Sequence, residues 1–255
     1  MRKVTGIAFG LITHVLFAHT VWKLFWFLKT GVEREGSLLV DLLLALQFGV
    51  IHSVILLPRI RERLTWKLIP SPFYGCFFCI ATCACLLATI AGWGRHQSVL
   101  WELAGWPRTF MNLCFAGSWI ALFYSLSLTG LGYQTGLTPW LYWLRNRPAP
   151  RRAFHPVGAY QWLRHPIYLS FLGLIWFTPD MTLDHAILTG VWTVYVFVGS
   201  YLKDQRLIHY LGDSYRQYQS QVPGYPGFII GPLARVPFPV EQSLGSLDSL
   251  RGVGA

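Results

Sequence analysis

Charge is what this 255-residue chain has least of. Only 13% of its residues are Asp, Glu, Lys or Arg, against about 25% in a soluble globular domain. Acids are the scarcer sign, with 11 Asp and Glu beside 21 Lys and Arg. No Gly-x-Gly-x-x-Gly follows a strand, and strand and helix patterns do not alternate, which excludes a soluble dinucleotide-type fold. There is no internal repeat, no inverted repeat and no pair of broken helices, so the usual framework of a secondary transporter is missing. Cysteine is sparse, and four of the five fall in one apolar block, at Cys76, Cys79, Cys83 and Cys85. Cys76, Cys79 and Cys83 share a helical face. A metal could in principle sit there, but small thiols packed inside a membrane helix are the preferred reading and no metal is expected.

What fills the chain instead is apolar sequence, 53% of all residues, in blocks too long for a soluble core. A hydrocarbon layer of about 30 Å needs roughly 20 apolar residues as helix. Val4 to Leu28, Leu38 to Leu57, Phe73 to Trp93 and Phe110 to Leu131 meet that length, and Leu183 to Leu202 matches it. The run Ile167 to Phe177 is too short to span unless it borrows from its flanks. The first block has a basic start like a signal peptide, but its apolar stretch is long and no small-residue cleavage site follows, so a retained helix is expected. Trp and Tyr gather near block ends (Trp22, Trp26, Trp66, Trp93, Trp101, Trp140), where an aromatic belt belongs.

The net charge of +10 would suggest nucleic acid on a soluble protein. Here the positive-inside rule accounts for it, and no nucleic-acid partner is expected. Arg2 and Lys3, then Arg59, Arg61, Arg63 and Lys67, then Arg145, Arg147, Arg151, Arg152 and Arg164 mark alternate loops. The N-terminus and those loops are therefore expected on the cytoplasmic side. The C-terminus joins them if the short run and the next block form a membrane-crossing pair. Thr138 to Pro156 reads as a structured loop. From Lys203 to Tyr218, Leu207, Leu211, Tyr215 and Tyr218 recur at helical spacing, the pattern of an amphipathic surface helix. Pro223 to Pro239 reads as irregular and Glu241 to Ala255 as disordered. The expected fold class is an all-α integral membrane protein with about five to six transmembrane helices, including a short helical hairpin, plus a C-terminal amphipathic cytoplasmic helix. Residues 1–226 form the polytopic domain and 227–255 a Pro/Gly/Ser-rich tail.

Polar residues inside apolar blocks are costly and are candidates for function. His14 and His19 in the first block read as packed or interfacial. Gln47, His52 and Ser53 late in the second are open between function and an interhelical hydrogen bond. The densest constellation is Gly158 to Tyr168. Pro166 suits the first turn of a helix, which puts Arg164 and His165 at a helix start, with Tyr168 spaced to share their face. The competing reading is a basic membrane edge, with Arg164 meeting lipid phosphate.

The pattern Gly-x-Tyr-x-x-x-Arg-His-Pro-x-Tyr (Gly158 to Tyr168), a short apolar hairpin, then Gly-x-x-Tyr-x-x-Tyr (Gly212 to Tyr218) and Val222-Pro223 resembles the isoprenylcysteine carboxyl methyltransferase superfamily. Within it the likeness is strongest to membrane methanethiol S-methyltransferases, over roughly Leu38 to Pro226. The resemblance implies S-adenosylmethionine as methyl donor in a cytoplasm-facing pocket and an acceptor entering from the membrane; the single-domain length and the lack of a periplasmic or luminal domain fit a multi-pass protein of a bacterial inner membrane. Carried over, Tyr160, Arg164, His165 and Tyr168 bind the cofactor. Where the superfamily usually carries Glu-Glu, this chain has Lys203-Asp204, so Asp204 keeps one carboxylate and Lys203 reverses the other charge. Arg164 and His52 are the catalytic candidates, Arg164 by favouring a thiolate and His52 as base. The implied reaction is methylation of a small thiol such as methanethiol. Alternatives are a prenylcysteine carboxylate or phospholipid amine as acceptor, or a non-catalytic, nurim-like membrane scaffold.

Overall fold

The computed structural model describes residues 3–150 and 153–238. Arg2, Arg151, Arg152 and the stretch Glu241 to Ala255 lie outside the described residues. The elements run α1 (Lys3–Thr30), α2 (Leu38–Leu56), α3 (Pro58–Lys67), α4 (Tyr74–Gly92), β1 (Val99–Glu102), α5 (Gly105–Leu128), α6 (Leu131–Gln134), α7 (Leu137–Leu144), α8 (Pro166–Trp176), β2 (Asp180–Thr182), α9 (Leu183–Leu211) and α10 (Asp213–Gln221). They divide into two units, Met1–His155 with Pro166–Gly199, and Pro156–His165 with Ser200–Ala255.

Among the described residues, five helical segments are long and apolar enough to cross a membrane: α1, α2, Ser71–Gly92, α5 and α9. In α2 only 11% of the apolar window is buried inside the protein, and Leu39, Leu43 and Val50 are exposed. Such surface would be driven out of water at about 25 cal/mol per Å², but it costs nothing against lipid tails. With no water to satisfy backbone groups there, helix is the conformation left to these segments. The protein is thus an integral membrane protein. At 11 residues, α8 reaches only about 16 Å and does not span by itself.

In the first unit, α1 and α2 both pack on α4, and α5 packs on α8. Leu24, Phe27, Trp93, Trp119, Leu174, Leu188 and Trp192 form the core between them. Polar groups inside it serve helix contacts. The Gln47 amide donates to Cys85 O (2.9 Å) and Thr89 Oγ1 (3.0 Å), the interhelical alternative read from sequence. Cys76, Cys79 and Cys83 are all buried on α4.

One end of the unit is closed by two buried acids at helix starts. Asp41, in the first turn of α2, accepts from Gly94 N (2.9 Å). Asp184, in the first turn of α9, accepts from His96 N (3.0 Å) and Trp93 Nε1 (3.2 Å). Each carboxylate also lies at the positive end of a helix dipole. The strands β1 and β2 pair antiparallel beside them, Trp101 opposite Met181, and Arg108 meets Asp180 at 2.5 Å. None of this closure was expected from sequence, because the two acids sit more than a hundred residues apart.

Two expectations change. Thr138 to Pro156 contains α7 before it becomes irregular. The surface helix expected from Lys203 to Tyr218 is two pieces: α9 continues without a break to Leu211, and α10 restarts after Gly212, whose φ of 57° only glycine adopts cheaply.

Gly36 and Gly94 approach backbone to backbone, and a Cβ on Gly94 would lie 2.1 Å from Gly36 Cα. Gly94→Ala should destabilise the protein by about 1–3 kcal/mol. Gly117→Ala, in open space on α5, should instead be neutral or stabilise by up to about 1 kcal/mol. Thermal unfolding in detergent reads both.

Candidate active site

The second unit brings together the short turn Gly158–Gln161, the residues up to His165, the end of α9, α10 and the irregular segment after it. Proline disfavours helix at the residue before it, and α8 begins only at Pro166. Arg164 and His165 therefore stand ahead of the helix, and Tyr168 stands in its first turn. The Arg164 backbone N–H instead donates to Pro223 O at 2.9 Å.

At the centre is the carboxylate of Asp204, 1% exposed. Its Oδ2 lies 3.2 Å from Arg164 Nη2 and 3.2 Å from His165 Nε2. Its Oδ1 accepts from the Tyr215 hydroxyl at 2.5 Å. Arg164 and His165 are as buried as Asp204. The guanidinium also donates to Gln219 O (3.3 Å) and Pro232 O (2.8 Å). A buried ion pair survives only when its other hydrogen-bonding capacity is met, and these backbone carbonyls supply much of it. A carboxylate only accepts, so His165 carries its proton on Nε2. Burial pushes the His165 pKa below its ordinary 6.5, opposed by the hydrogen bond and charge of Asp204, while Lys203 and Arg164 add to the lowering. The ring is therefore neutral at pH 7. Burial, reinforced by Asp204, likewise raises Tyr215, and burial raises Tyr218, so both keep their protons.

Around this centre Tyr218 donates to Tyr160 O at 2.5 Å. The Tyr225 ring lies 5.6 Å from the His165 ring, and its hydroxyl is 2.5 Å from Ser200. The Lys203 ammonium stands 5.6 Å from the centre of the Tyr160 ring, within cation–π range. A Cβ on Gly224 would meet Leu233 O at 2.6 Å and His165 Cδ2 at 3.1 Å, so that glycine lets the chain close over the site.

Of the residues singled out from sequence, Tyr160, Arg164, His165 and Asp204 come together here. Tyr168 stands on α8 and His52 on α2, both in the first unit. His52 Nδ1 is 3.4 Å from Thr82 Oγ1, and the rings of Phe48, Phe78 and Tyr195 surround it. Tyr215 and Tyr218 were read as a helix face. The Gly-x-x-Tyr-x-x-Tyr motif carried the signal for them. Tyr225, Ser200 and Gln219 carried none.

A membrane-embedded helical bundle with an arginine–histidine–aspartate cluster of this kind is not the frame of a soluble cofactor-binding domain. It defines a class of polytopic membrane proteins whose polar chemistry gathers where the last long helix ends. No family model matches the chain, and no solved structure matches it. Among curated proteins, it is 30% identical over 221 residues to a methanethiol S-methyltransferase of Mycobacterium tuberculosis, covering 85% of this chain and 87% of that protein. It is 28% identical over 234 residues to methanethiol S-methyltransferase 1 of Bradyrhizobium diazoefficiens, covering 86% and 81%. Nurim of Rattus norvegicus is 26% identical over 189 residues, covering 69% and 70%. The chain belongs to the methanethiol S-methyltransferase family, and by that membership it is a methyltransferase.

Asp204→Ala removes the one anion from a buried guanidinium and should cost about 3–5 kcal/mol, read as a lowered unfolding midpoint in detergent. The His165 contribution has a definite sign. With the folded pKa below 6.5, the unfolded chain binds more protons in acid. This part of the stability is complete above pH 6.5 and is lost as pH falls from there through the folded pKa. His165→Gln should flatten that part of the pH profile.

Proposed function

We propose that this protein transfers a methyl group from S-adenosylmethionine to a small thiol, with methanethiol the best-supported acceptor and dimethyl sulfide the product. The observation that carries the reading is the convergence of Arg164, His165 and Asp204 at one buried point, in a chain of this family.

The residues present fit such a cofactor. Its amino-acid end carries both a carboxylate and an ammonium, and the cluster offers a guanidinium beside a carboxylate, with the His165 ring against them. Arg164 Nε is buried and has no hydrogen-bond partner among the described residues, which leaves a donor for an incoming anion. Arg164, His165, Asp204 and Tyr160 would hold the cofactor. When bound, S-adenosylmethionine supplies an electrophilic methyl carbon on a sulfonium.

What remains for the protein is alignment and the exclusion of water, the main levers in a displacement of this kind. The thiolate is the reactive form of the acceptor, and positive charge at Arg164 and Lys203 favours it over the thiol. Asp204 and Tyr215 position Arg164 and His165 and need not touch the acceptor. Lys203 lies over the Tyr160 ring, and with the reversed charge at 203 the Asp204 carboxylate still meets Arg164, His165 and Tyr215. His52 and Tyr168 remain candidates for base and cofactor contact. A volatile, apolar thiol partitions into lipid, which suits an enzyme whose walls are membrane helices. The loop carrying α3 and the loop after α7 carry the most Lys and Arg, which supports a reading with the N-terminus, those loops and the C-terminus on the cytoplasmic side.

Calorimetric titration of the detergent-purified protein with S-adenosylhomocysteine, beside headspace detection of dimethyl sulfide from methanethiol, tests the reading. Saturable binding and turnover are expected in wild type. His165→Ala should weaken binding by about tenfold or more, and Arg164→Lys should cut turnover by about a hundredfold with the protein still folded. His52→Ala that lowers turnover without changing cofactor binding would assign it as base, and Tyr168→Phe is read the same way for binding. A folded wild type that binds no cofactor would overturn the proposal in favour of a scaffold. Cofactor binding with methylation of a prenylcysteine or phosphatidylethanolamine, and not of methanethiol, would overturn the thiol acceptor alone.

A further inference from the structure

The first unit contains an apolar cavity none of whose lining residues belongs to the cluster above. It has a volume of about 450 Å³, and its walls come from Phe9 on α1, Leu64 and Leu68 at the end of α3, and Phe73 and Phe77 at the start of α4. That size falls in the range of ligand sites, about 300–1,000 Å³, yet no polar side chain contributes to its lining.

The element beside it has the opposite character. α3 carries four cations, Arg59, Arg61, Arg63 and Lys67, against one acid, Glu62. Arg59, Arg63 and Lys67 recur at four-residue spacing and form one stripe. Ile60, Leu64 and Leu68 form the adjacent stripe, and the last two line the cavity. Leu68 is 76% exposed and Trp66 84% exposed. A helix with a basic stripe, an apolar stripe and an unshielded Trp is the pattern of one lying in the headgroup region. Its position is held: the Arg61 guanidinium lies 5.2 Å from the Tyr74 ring centre, and the Tyr74 hydroxyl donates to Ile55 O at 2.5 Å. α3 follows α2 after a single residue, so it stands where a membrane helix has just left the hydrocarbon.

We propose that α3 and this cavity form a binding site for one anionic glycerophospholipid, with an acyl chain in the cavity and the phosphate on the stripe of Arg59, Arg63 and Lys67. Charge complementarity selects the headgroup, since a zwitterionic lipid presents its own cation to the same stripe. The apolar lining selects a lipid over a free phosphate ester. Arg61 is engaged on Tyr74 and serves to fix the helix. The site is independent of the methyl-transfer reading.

The test is lipid binding to the full-length, delipidated protein in detergent, followed by native mass spectrometry. Phosphatidylglycerol and phosphatidylcholine of the same acyl chains are titrated in parallel. One phosphatidylglycerol should bind with an affinity about tenfold or more above phosphatidylcholine. The pair Arg63→Glu and Lys67→Glu should abolish that preference while the unfolding midpoint and methyl transfer stay at wild-type values. Leu68→Glu, a change at an exposed position, should weaken both lipids by placing a carboxylate at the mouth of the cavity. Equal wild-type affinity for the two lipids, or an unchanged preference in the double charge variant, would overturn the site. Displacement of the lipid by millimolar glycerol phosphate as effectively as by a second lipid would show a phosphate patch without a chain groove and overturn it as well.

Discussion

The hydrocarbon layer admits no unpaired backbone N–H or C=O, and the rest of the molecule follows from that constraint. It makes helices of the five long apolar segments found among the described residues, leaves many of their Leu, Ile and Val side chains facing outward, and pushes polar chemistry to the helix ends. Packing between the helices cannot rest on burying apolar surface, because lipid tails are as apolar as leucine. It rests on close van der Waals packing of side chains such as Phe27, Trp93, Trp119 and Trp192, on close backbone approaches and on a few hydrogen bonds. Gly36 meets Gly94 backbone to backbone, Gln47 reaches α4, and Asp41 and Asp184 close one end on backbone and indole N–H groups.

The second unit answers the same constraint in a different way. A carboxylate, a guanidinium and an imidazole are buried together, which costs several kcal/mol in desolvation for each ion unless each is paired. Asp204 pairs with Arg164 and His165 and accepts from Tyr215, and the Nη groups of the guanidinium also donate to carbonyls at Gln219 and Pro232. Those carbonyls lie in or after α10, so the irregular chain beyond it is part of the cluster. A chain end rich in Pro and Gly is suited to this task. It offers carbonyls that no helix has used, and at Gly224 it approaches His165 more closely than a side chain would allow.

On the two readings proposed above, the polar regions would divide the work of a membrane enzyme. Arg164 and its partners concentrate charge at one buried point, which is what a charged methyl donor and a thiolate require. α3, at the edge of the first unit, keeps its cations on the surface beside an apolar cavity, which is what a lipid requires. The same residue types serve both. Burial separates them: Arg164 is 1% exposed, whereas the α3 cations face solvent.

Much of the molecule was determined by sequence alone. The apolar blocks near Val4, Leu38, Phe73, Phe110 and Leu183 became helices close to their expected bounds, because block length and helical rise against bilayer thickness are local quantities. The Arg164-His165-Pro166 motif marked a helix start for the same reason, since proline acts on its immediate neighbours. Tertiary structure decided the partnerships. Nothing local says that Asp204 meets residues forty positions earlier, that Tyr215 and Tyr218 turn inward instead of forming a surface stripe, or that Asp41 and Asp184 hold the loop after α4. Those contacts join distant segments, and their energy comes from desolvated charge and backbone geometry, which exist only after the helices have packed.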